Sequence, residues 1–525
     1  MDMTLKKLAG AVMMATFCSS NYAEVAGRPN ILLIIADDLG FSDLGCYGGE
    51  AATPNLDRLA ERGVRFSQFY NCGKCEPTRA ALMTGHRNTP QIGFRAERAK
   101  TYMADVLRAD GYRTLMAGKW HVNKNPLDHG FDRFYGIEEG ACNYCTGSGH
   151  IRLGRDIVPV PENFYTTDVF TDYALRFLDE SKRTDDELPF FLYLAYNAPH
   201  DPLQVPPEEI DKYRGTYLKG WHEVKHQRLK KLREIGLVPK SIRRTDWPEN
   251  LPRWDTLSEA QQKTEDLRMA VFAAMIDRMD RNIGRIFQWL EENNELENTL
   301  ILFVSDNGAN PFDRGSQEMV KEDIPPGGPN SHWSLGTAWA HVCNTPFRMY
   351  KRNQHEGGIC APMIAAGPGL AYAAGSISTL PVHVLDFLPT FHTLAGGTSR
   401  PEDIEGTDLS NLWKNGDQNR EFDMAGYMAD HRYIRHNEWK LVSVDCQPWE
   451  LFNLNDDRSE TQNLIAEFPE KARQLETAWD RWYSEVAGGE PFLDPNETTQ
   501  KTRRRESAHM GDKGSGIHYV PVALP

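Results

Sequence analysis

The sequence predicts an α/β fold: a large, mostly parallel central sheet flanked by helices, followed by a smaller C-terminal α+β domain. Three observations predict it. Short apolar, β-branched runs recur from Ile31 to Ala366, bounded by turn residues and separated by helical patterns, as in βαβ units. Acidic, basic and amide residues fall just past the ends of those runs, the edge where open α/β sheets bind ligands. From about Pro401 the spacing changes to closely set short strands and one terminal helix. A chain of 525 residues also exceeds one ordinary core, which calls for a second domain.

Taken in order, residues 1–26 read as a secretory signal: Lys6 and Lys7, then the apolar Leu8–Phe17, too short to span a bilayer, then the small residues Ser20, Ala23 and Ala26. Such a leader implies a secreted or periplasmic protein. Lipoprotein anchoring at Cys18 is not expected, because Phe17 stands where such signals use a small residue. Ile31–Ala36 is the first strand. Thr53 and Pro54 open a helix that Gly63 closes, and Pro77 suits the first position of another that ends at Gly85. Thr101 and Gly111 bracket a helix that leads into a strand over Tyr112–Ala117. Thr167–Ser181 reads as helix and Phe190–Ala195 as a wholly apolar strand. Ser258–Asn294 carries long amphipathic periodicity and feeds a strand over Leu300–Ser305; Ala361–Ala366 is a further strand. Residues 203–257, rich in charge, Pro and Trp, read as a surface insertion in a catalytic domain spanning 27–400, with the basic run Lys225–Arg233 as a solvated face. Strands over Tyr433–Arg435, Trp439–Val444 and Trp449–Leu454, with a helix over Pro469–Val486, make the C-terminal unit 401–487. Residues 488–525 form a polar, irregular tail.

A formal charge of −15 excludes a nucleic-acid partner, and an anionic substrate would have to be drawn by a local positive pocket. No apolar run after the leader is long enough for a membrane span. Nine cysteines, less Cys18 and a reactive one at 75, leave an odd number, so no complete disulfide framework is expected. Cys142 and Cys145 form an isolated C-x-x-C, read as a local disulfide or two ordinary thiols.

The chemistry concentrates past the strand ends. Asp37 and Asp38 follow the first strand, Lys119 and His121 the third, His200 the run Phe190–Ala195, and Asp306 and Asn307 the run Leu300–Ser305. Asp37, Asp38, Asp306 and Asn307 offer only oxygen ligands, a set that suits a hard divalent cation, calcium before magnesium, and not zinc. Lys119, Lys351 and Arg79 supply the positive charge an anionic ester needs. Cys75, in Cys75-Glu76-Pro77-Thr78-Arg79, precedes a helix N-terminus, whose unpaired N–H groups favour an anion. Tyr196 and Asn197 are candidates for the pocket lining, whereas His355 and His383 read as packing or rim residues. Glu356-Gly357-Gly358 reads as a turn that aims Lys351.

That C-x-P-x-R string resembles the signature of the type I sulfatases, of the alkaline-phosphatase superfamily, and the resemblance extends over roughly residues 30–490. It is carried by Asp37-Asp38-Leu39-Gly40, Gly118-Lys119-Trp120-His121, Ala198-Pro199-His200, Ser305-Asp306-Asn307-Gly308 and the stretch Asn344–Lys351. It implies a sulfuric ester hydrolase acting on an aryl or carbohydrate sulfate. In such an enzyme Cys75 is oxidised to Cα-formylglycine by a maturation enzyme. It further implies one calcium ion held by Asp37, Asp38, Asp306, Asn307 and the modified residue 75. Arg79 would then steady the hydrated aldehyde, while Lys119 and Lys351 bind sulfate oxygens. His200 would protonate the leaving alcohol, with Lys351 beside it, and His121 would deprotonate the second hydroxyl so that sulfate departs. A phosphate or phosphonate ester hydrolase of the same superfamily is the alternative.

Overall fold

A computed structural model describes residues 27–87, 101–184, 187–313, 315–399, 404–445, 447–487 and 492. The leader, Cys18 and all of the tail but Phe492 lie outside the described residues. Fifteen strands follow in chain order: β1 (Asn30–Ala36), β2 (Val64–Tyr70), β3 (Arg113–Lys119), β4 (Arg133–Ile137), β5 (Arg152–Leu153), β6 (Asp156–Ile157), β7 (Phe190–Ala195), β8 (Thr299–Ser305), β9 (Cys360–Ala366), β10 (Ser376–Ser378), β11 (Val382–His383), β12 (Asp423–Met428), β13 (His431–His436), β14 (Trp439–Ser443) and β15 (Glu450–Asn453). The helices are α1 (Pro54–Arg62), α2 (Cys75–Thr84), α3 (Met103–Ala109), α4 (Thr166–Lys182), α5 (Pro207–Ile210), α6 (Trp221–Glu234), α7 (Glu259–Glu292), α8 (Ser316–Lys321), α9 (Thr337–Cys343), α10 (Glu356–Ile359), α11 (Phe387–Leu394), α12 (Ser410–Asn415) and α13 (Pro469–Ala487).

The large sheet runs β10-β2-β9-β8-β1-β7-β3-β4-β5-β6, with β11 also on β2. Its centre, β8-β1-β7-β3-β4, is parallel throughout, while β9 runs antiparallel to both β2 and β8. Every residue of β1, β7 and β8 is buried, as expected of strands covered by helices on both faces. One face packs against α1, α4 and α7, and the other against α2, α3 and α11. Ser258 caps α7 with a reciprocal bond to Gln261, which explains why that long periodic segment starts where it does. The small sheet, β12-β13-β14-β15, is antiparallel and packs on α13 through Leu441, Leu451, Leu475 and Trp479.

Two expectations need correction. Helix α2 begins at Cys75 itself, with Lys74 as its cap, so Pro77 occupies the third helical position. The basic run is a solvated face only in part: Lys230 and Lys231 are exposed, but Lys225 is 4% exposed and Arg228 1%, because the Trp221, Val224, Leu229 and Leu232 side of α6 is sunk in the core. Seven cysteines are free thiols among the described residues, including Cys142 and Cys145.

Candidate active site

Three adjacent parallel strands deliver most of the site to one edge. The N–H of Asp37 bonds to Ala198 O at 3.0 Å and that of Asp306 to Ala36 O at 3.2 Å, so the segments leaving β1, β7 and β8 stay in contact beyond the sheet. Asp38 takes a left-handed backbone with φ of 67°, a conformation Asp tolerates better than most residues. Lys119 is the last residue of β3 rather than a loop residue, and His121 follows at φ of 49°. Helix α2 carries both Cys75 and Arg79, one turn apart. Lys351 comes from the loop between α9 and α10. That loop is closed by the Gly357 N–H on Arg348 O at 2.9 Å, where a Cβ on Gly357 would sit 2.2 Å from the same oxygen.

Of the ten predicted residues, nine are less than a tenth exposed, and His121 is half-buried. Lys119 Nζ donates to Asp37 Oδ2 and Lys351 Nζ to Asp38 Oδ1, both at 2.5 Å. Arg79 donates from Nε to Asp306 Oδ2 at 2.9 Å and from Nη1 to the Lys119 carbonyl at 2.8 Å. Asn307 Nδ2 donates to Asp38 Oδ1 at 2.7 Å, which turns its own Oδ1 inward. His200 Nε2 lies 3.4 Å from Asp38 Oδ2, while its Nδ1 faces the Asp201 carbonyl at 2.6 Å and Asp201 Oδ1 at 3.0 Å.

These contacts set the protonation states. Burial alone would raise the Asp37 carboxyl, but Lys119, His200, Arg79 and Lys351 outweigh it and hold the group well below the usual carboxylate range. Asp306 is pushed up to about 8 by burial and by Asp37 beside it. Burial opposes ionisation of the Cys75 thiol, yet Lys119 and Lys351 win and bring it below its ordinary value. Burial likewise opposes a charged His200, and the Asp38 carboxylate reverses the balance, raising the ring to about 9. Burial and Lys119 together keep His121 neutral.

Whether these residues suit a metal is decided by their unused atoms. Asp37 Oδ1, Asp38 Oδ2 and Asn307 Oδ1 are buried and have no hydrogen-bond partner among the described residues. Buried acceptors left unpaired cost free energy, and three converging at one sheet edge fit a cation. Donor atoms of Asp37, Asp38 and His200 all lie within 4.8 Å of one another. Arg79, Lys119, Lys351 and the protonated His200 outweigh the Asp37, Asp38 and Asp306 carboxyls, and a divalent ion would add to that positive pocket, as an anionic ester requires.

Tyr196 and Asn197 do not line this pocket. The Tyr196 hydroxyl bonds to Thr171 and the Asn197 amide oxygen accepts from Thr166, both in the core beneath α4. His355 is fully buried and bonds to Glu450, and His383 accepts from Leu385 N, so both serve packing. Sequence reading missed Asp201, the partner of His200 Nδ1, although its place directly after His200 was the available signal. It also missed Asn344, whose Oδ1 accepts from Ala309 N at 3.0 Å and so ties the Lys351 loop to the Asn307 loop.

Comparison with known proteins bears on this constellation. The sulfatase family model matches residues 29–397, and a model for the C-terminal part of N-sulphoglucosamine sulphohydrolase matches 347–480. An arylsulfatase of Klebsiella aerogenes is 34% identical over 440 residues, covering 75% of this chain and 92% of that protein. An N-acetylglucosamine-6-O-sulfatase of Bacteroides thetaiotaomicron is 26% identical, covering 93% and 92%. The solved structure of Ps i-CgsB in complex with k-i-k-neocarrahexaose superposes with a TM-score of 0.66 at 26% identity, over 93% of this chain and 99% of that one.

Proposed function

The chain belongs to the sulfatase family and is a sulfate-ester hydrolase, and from that premise we propose that it acts through an oxidised Cys75 beside a calcium ion, on an aryl or carbohydrate sulfate. One observation carries the reading. A buried cysteine in the first turn of α2 faces two lysines that depress its thiol, next to three buried oxygens that no hydrogen bond satisfies.

Conversion of Cys75 to formylglycine, the work of a separate maturation enzyme, would supply a hydrated aldehyde with one hydroxyl to attack sulfur and a second to release the product. Calcium, held by Asp37, Asp38, Asp306 and Asn307, would supply fixed positive charge against the ester's oxygens. Lys119 and Lys351 are the donors for the non-bridging sulfate oxygens, where charge develops in the transition state. Arg79, locked by Asp306 and the Lys119 carbonyl, keeps α2 and residue 75 in register with the strand ends. His200, protonated and steadied at Nδ1 by Asp201, gives its Nε2 proton to the leaving oxygen. His121, neutral and with Nδ1 unpaired among the described residues, is the base that takes a proton from residue 75. The leader-like residues 1–26 support export to the periplasm or beyond the cell.

The test pairs chemistry with identity. Wild-type enzyme is expected to hydrolyse 4-nitrophenyl sulfate with a larger kcat/KM than 4-nitrophenyl phosphate, and mass spectrometry of the peptide holding residues 75–79 should find the aldehyde. Cys75→Ala should fold normally and turn over neither ester. Wild-type turnover in that variant, or preference for the phosphate, ends the proposal.

A further inference from the structure

Helix α6 buries two cations on neighbouring turns and treats them differently. Arg228 is satisfied by Asp43 Oδ1 at 2.6 Å and Glu50 Oε2 at 2.7 Å. Lys225, one turn earlier and 4% exposed, has neither a hydrogen bond nor an ion pair to any described residue. A buried ammonium without a partner is expensive, so such a lysine favours the neutral amine until an anion joins it. Its surroundings share the deficit. Nε2 of His222 and the hydroxyl of Thr245 also lack hydrogen bonds, and the two ring nitrogens of the buried His341 make no close one, the Asp246 backbone being the group that acts on that ring. Trp247 joins the group: its ring lies 4.5 Å from that of His222 and 5.3 Å, edge to face, from that of His341. Arg244, exposed to solvent, acts electrostatically on both Lys225 and His222. Asp255, an acidic group that acts on His222, is paired with Arg253 at 3.3 Å.

We propose that Lys225, His341, His222 and Arg244, walled by Trp247, form a second oxyanion site, distinct from the catalytic groups, that takes a sulfate group. Every polar side chain turned toward it can donate, Arg244 carries a fixed charge, and an oxyanion accepts only. A tetrahedral anion would satisfy several stranded donors at once. The choice of sulfate over another oxyanion rests on the sulfatase reading, whereas the existence of the site does not. Two sources offer that group: free inorganic sulfate, the product, or a second sulfate ester on a polysulfated substrate.

Titration calorimetry of the full chain with sodium sulfate, against sodium chloride of equal ionic strength, reads the site without turnover. Wild type should bind two sulfates. Lys225→Met should keep one and weaken the other by at least about tenfold, the size of one lost hydrogen bond to a charged group, with kcat on 4-nitrophenyl sulfate unchanged. Arg244→Gln, a surface change that spares the core, should weaken the same sulfate and carries the test if Lys225→Met does not fold. Binding of k-i-k-neocarrahexaose then separates the sources: weaker binding by both variants assigns a sulfate ester, and unchanged binding assigns the free anion. A single sulfate in wild type that survives both substitutions, or two that neither substitution weakens, overturns the proposal.

Discussion

Lys351 reaches the pocket from a loop rather than a strand end, and its ammonium rests 2.5 Å from Asp38 Oδ1 in a site closed to solvent. Burial favours the neutral amine, but Asp38 and Cys75 raise the group above its ordinary value, so it is a fixed positive charge at any working pH. A preorganised charge of this kind acts mainly on the transition state. Lys351→Ala is therefore expected to lower kcat on 4-nitrophenyl sulfate by about 10²–10³ with a smaller change in KM. A loss under tenfold would remove Lys351 from the reacting centre. Lys225 is the contrasting case: burial, reinforced by Arg244, lowers it from 10.5 to about 7. Between about pH 7 and 10 the unfolded chain then binds the proton that the folded chain has released, so stability rises with pH across that window. In sulfate-free buffer, Lys225→Met should remove this part of the rise and gain most over wild type at pH 7. Melting curves at pH 7, 8 and 9 check it, and parallel pH dependences in the two proteins would refute the lysine's neutral burial.

At the level of elements, the short helix α10 and strand β14 hold the Lys351 loop between the two domains. Lys440 Nζ on β14 pairs with Glu356 Oε1 at 3.0 Å and Glu460 Oε1 at 2.8 Å, all three side chains fully buried. Glu356 also accepts from the Tyr70 hydroxyl at 2.9 Å, and its own N–H donates to Glu460. Replacing Lys440 by Met strands two carboxylates, with Arg458 at 3.4 Å from Glu356 as partial relief, and should cost about 3–5 kcal/mol of stability. Because Glu356 opens the helix on which the Lys351 loop closes, kcat should fall as well; urea denaturation and steady-state kinetics on one preparation read both. Retained stability would mean that the network is not what docks the C-terminal unit. Legibility differed among elements for physical reasons. Strand β7 was legible to the residue because a buried parallel strand is continuously apolar, and its bounds match the run Phe190–Ala195. Strand β12, Asp423-Met-Ala-Gly-Tyr-Met428, was not foreseen, since it lacks β-branched residues and is set by pairing with β13. Asp37, Asp38, His200, Asp306 and Asn307 could be placed at one edge because each follows an identifiable strand, whereas Lys351, on a loop between two helices, carried no such mark. The burial of Lys225 was not legible, because the inward face of α6 is chosen by Trp339 and Trp247, distant in sequence.

Across the whole molecule, the pocket is where separate parts of the chain meet: β1, β3 and β8 ends, α2, and the loop that the C-terminal unit clamps. Residues 37 and 306 touch there only because β1 and β8 pair along their full length, in register from Asn30 with Thr299 to Ala36 with Ser305. A cation bound at that convergence adds to the Asn307–Asp38 bond that already joins the two loops, since Asp37 Oδ1, Asp38 Oδ2 and Asn307 Oδ1 accept no hydrogen bond among the described residues and His200 comes no closer than 3.4 Å to Asp38 Oδ2. The unfolded chain scatters these ligands and binds the ion weakly, so occupancy stabilises the native state by mass action, about 2.7 kcal/mol when free metal exceeds Kd a hundredfold. Exhaustive dialysis against EGTA should therefore lower the melting temperature and sulfate release together, and added calcium should restore both along one concentration curve. Magnesium should restore them less well, because a site supplied by three carboxylates and one amide suits the larger, more adaptable coordination sphere. Asp306→Asn keeps the shape of the cluster but removes one charge and the carboxylate that Arg79 grips at 2.8 Å, so it should shift the calcium curve to higher concentration. Melting temperature and turnover that both ignore the chelator would show that the unpaired oxygens are satisfied by something other than a metal ion.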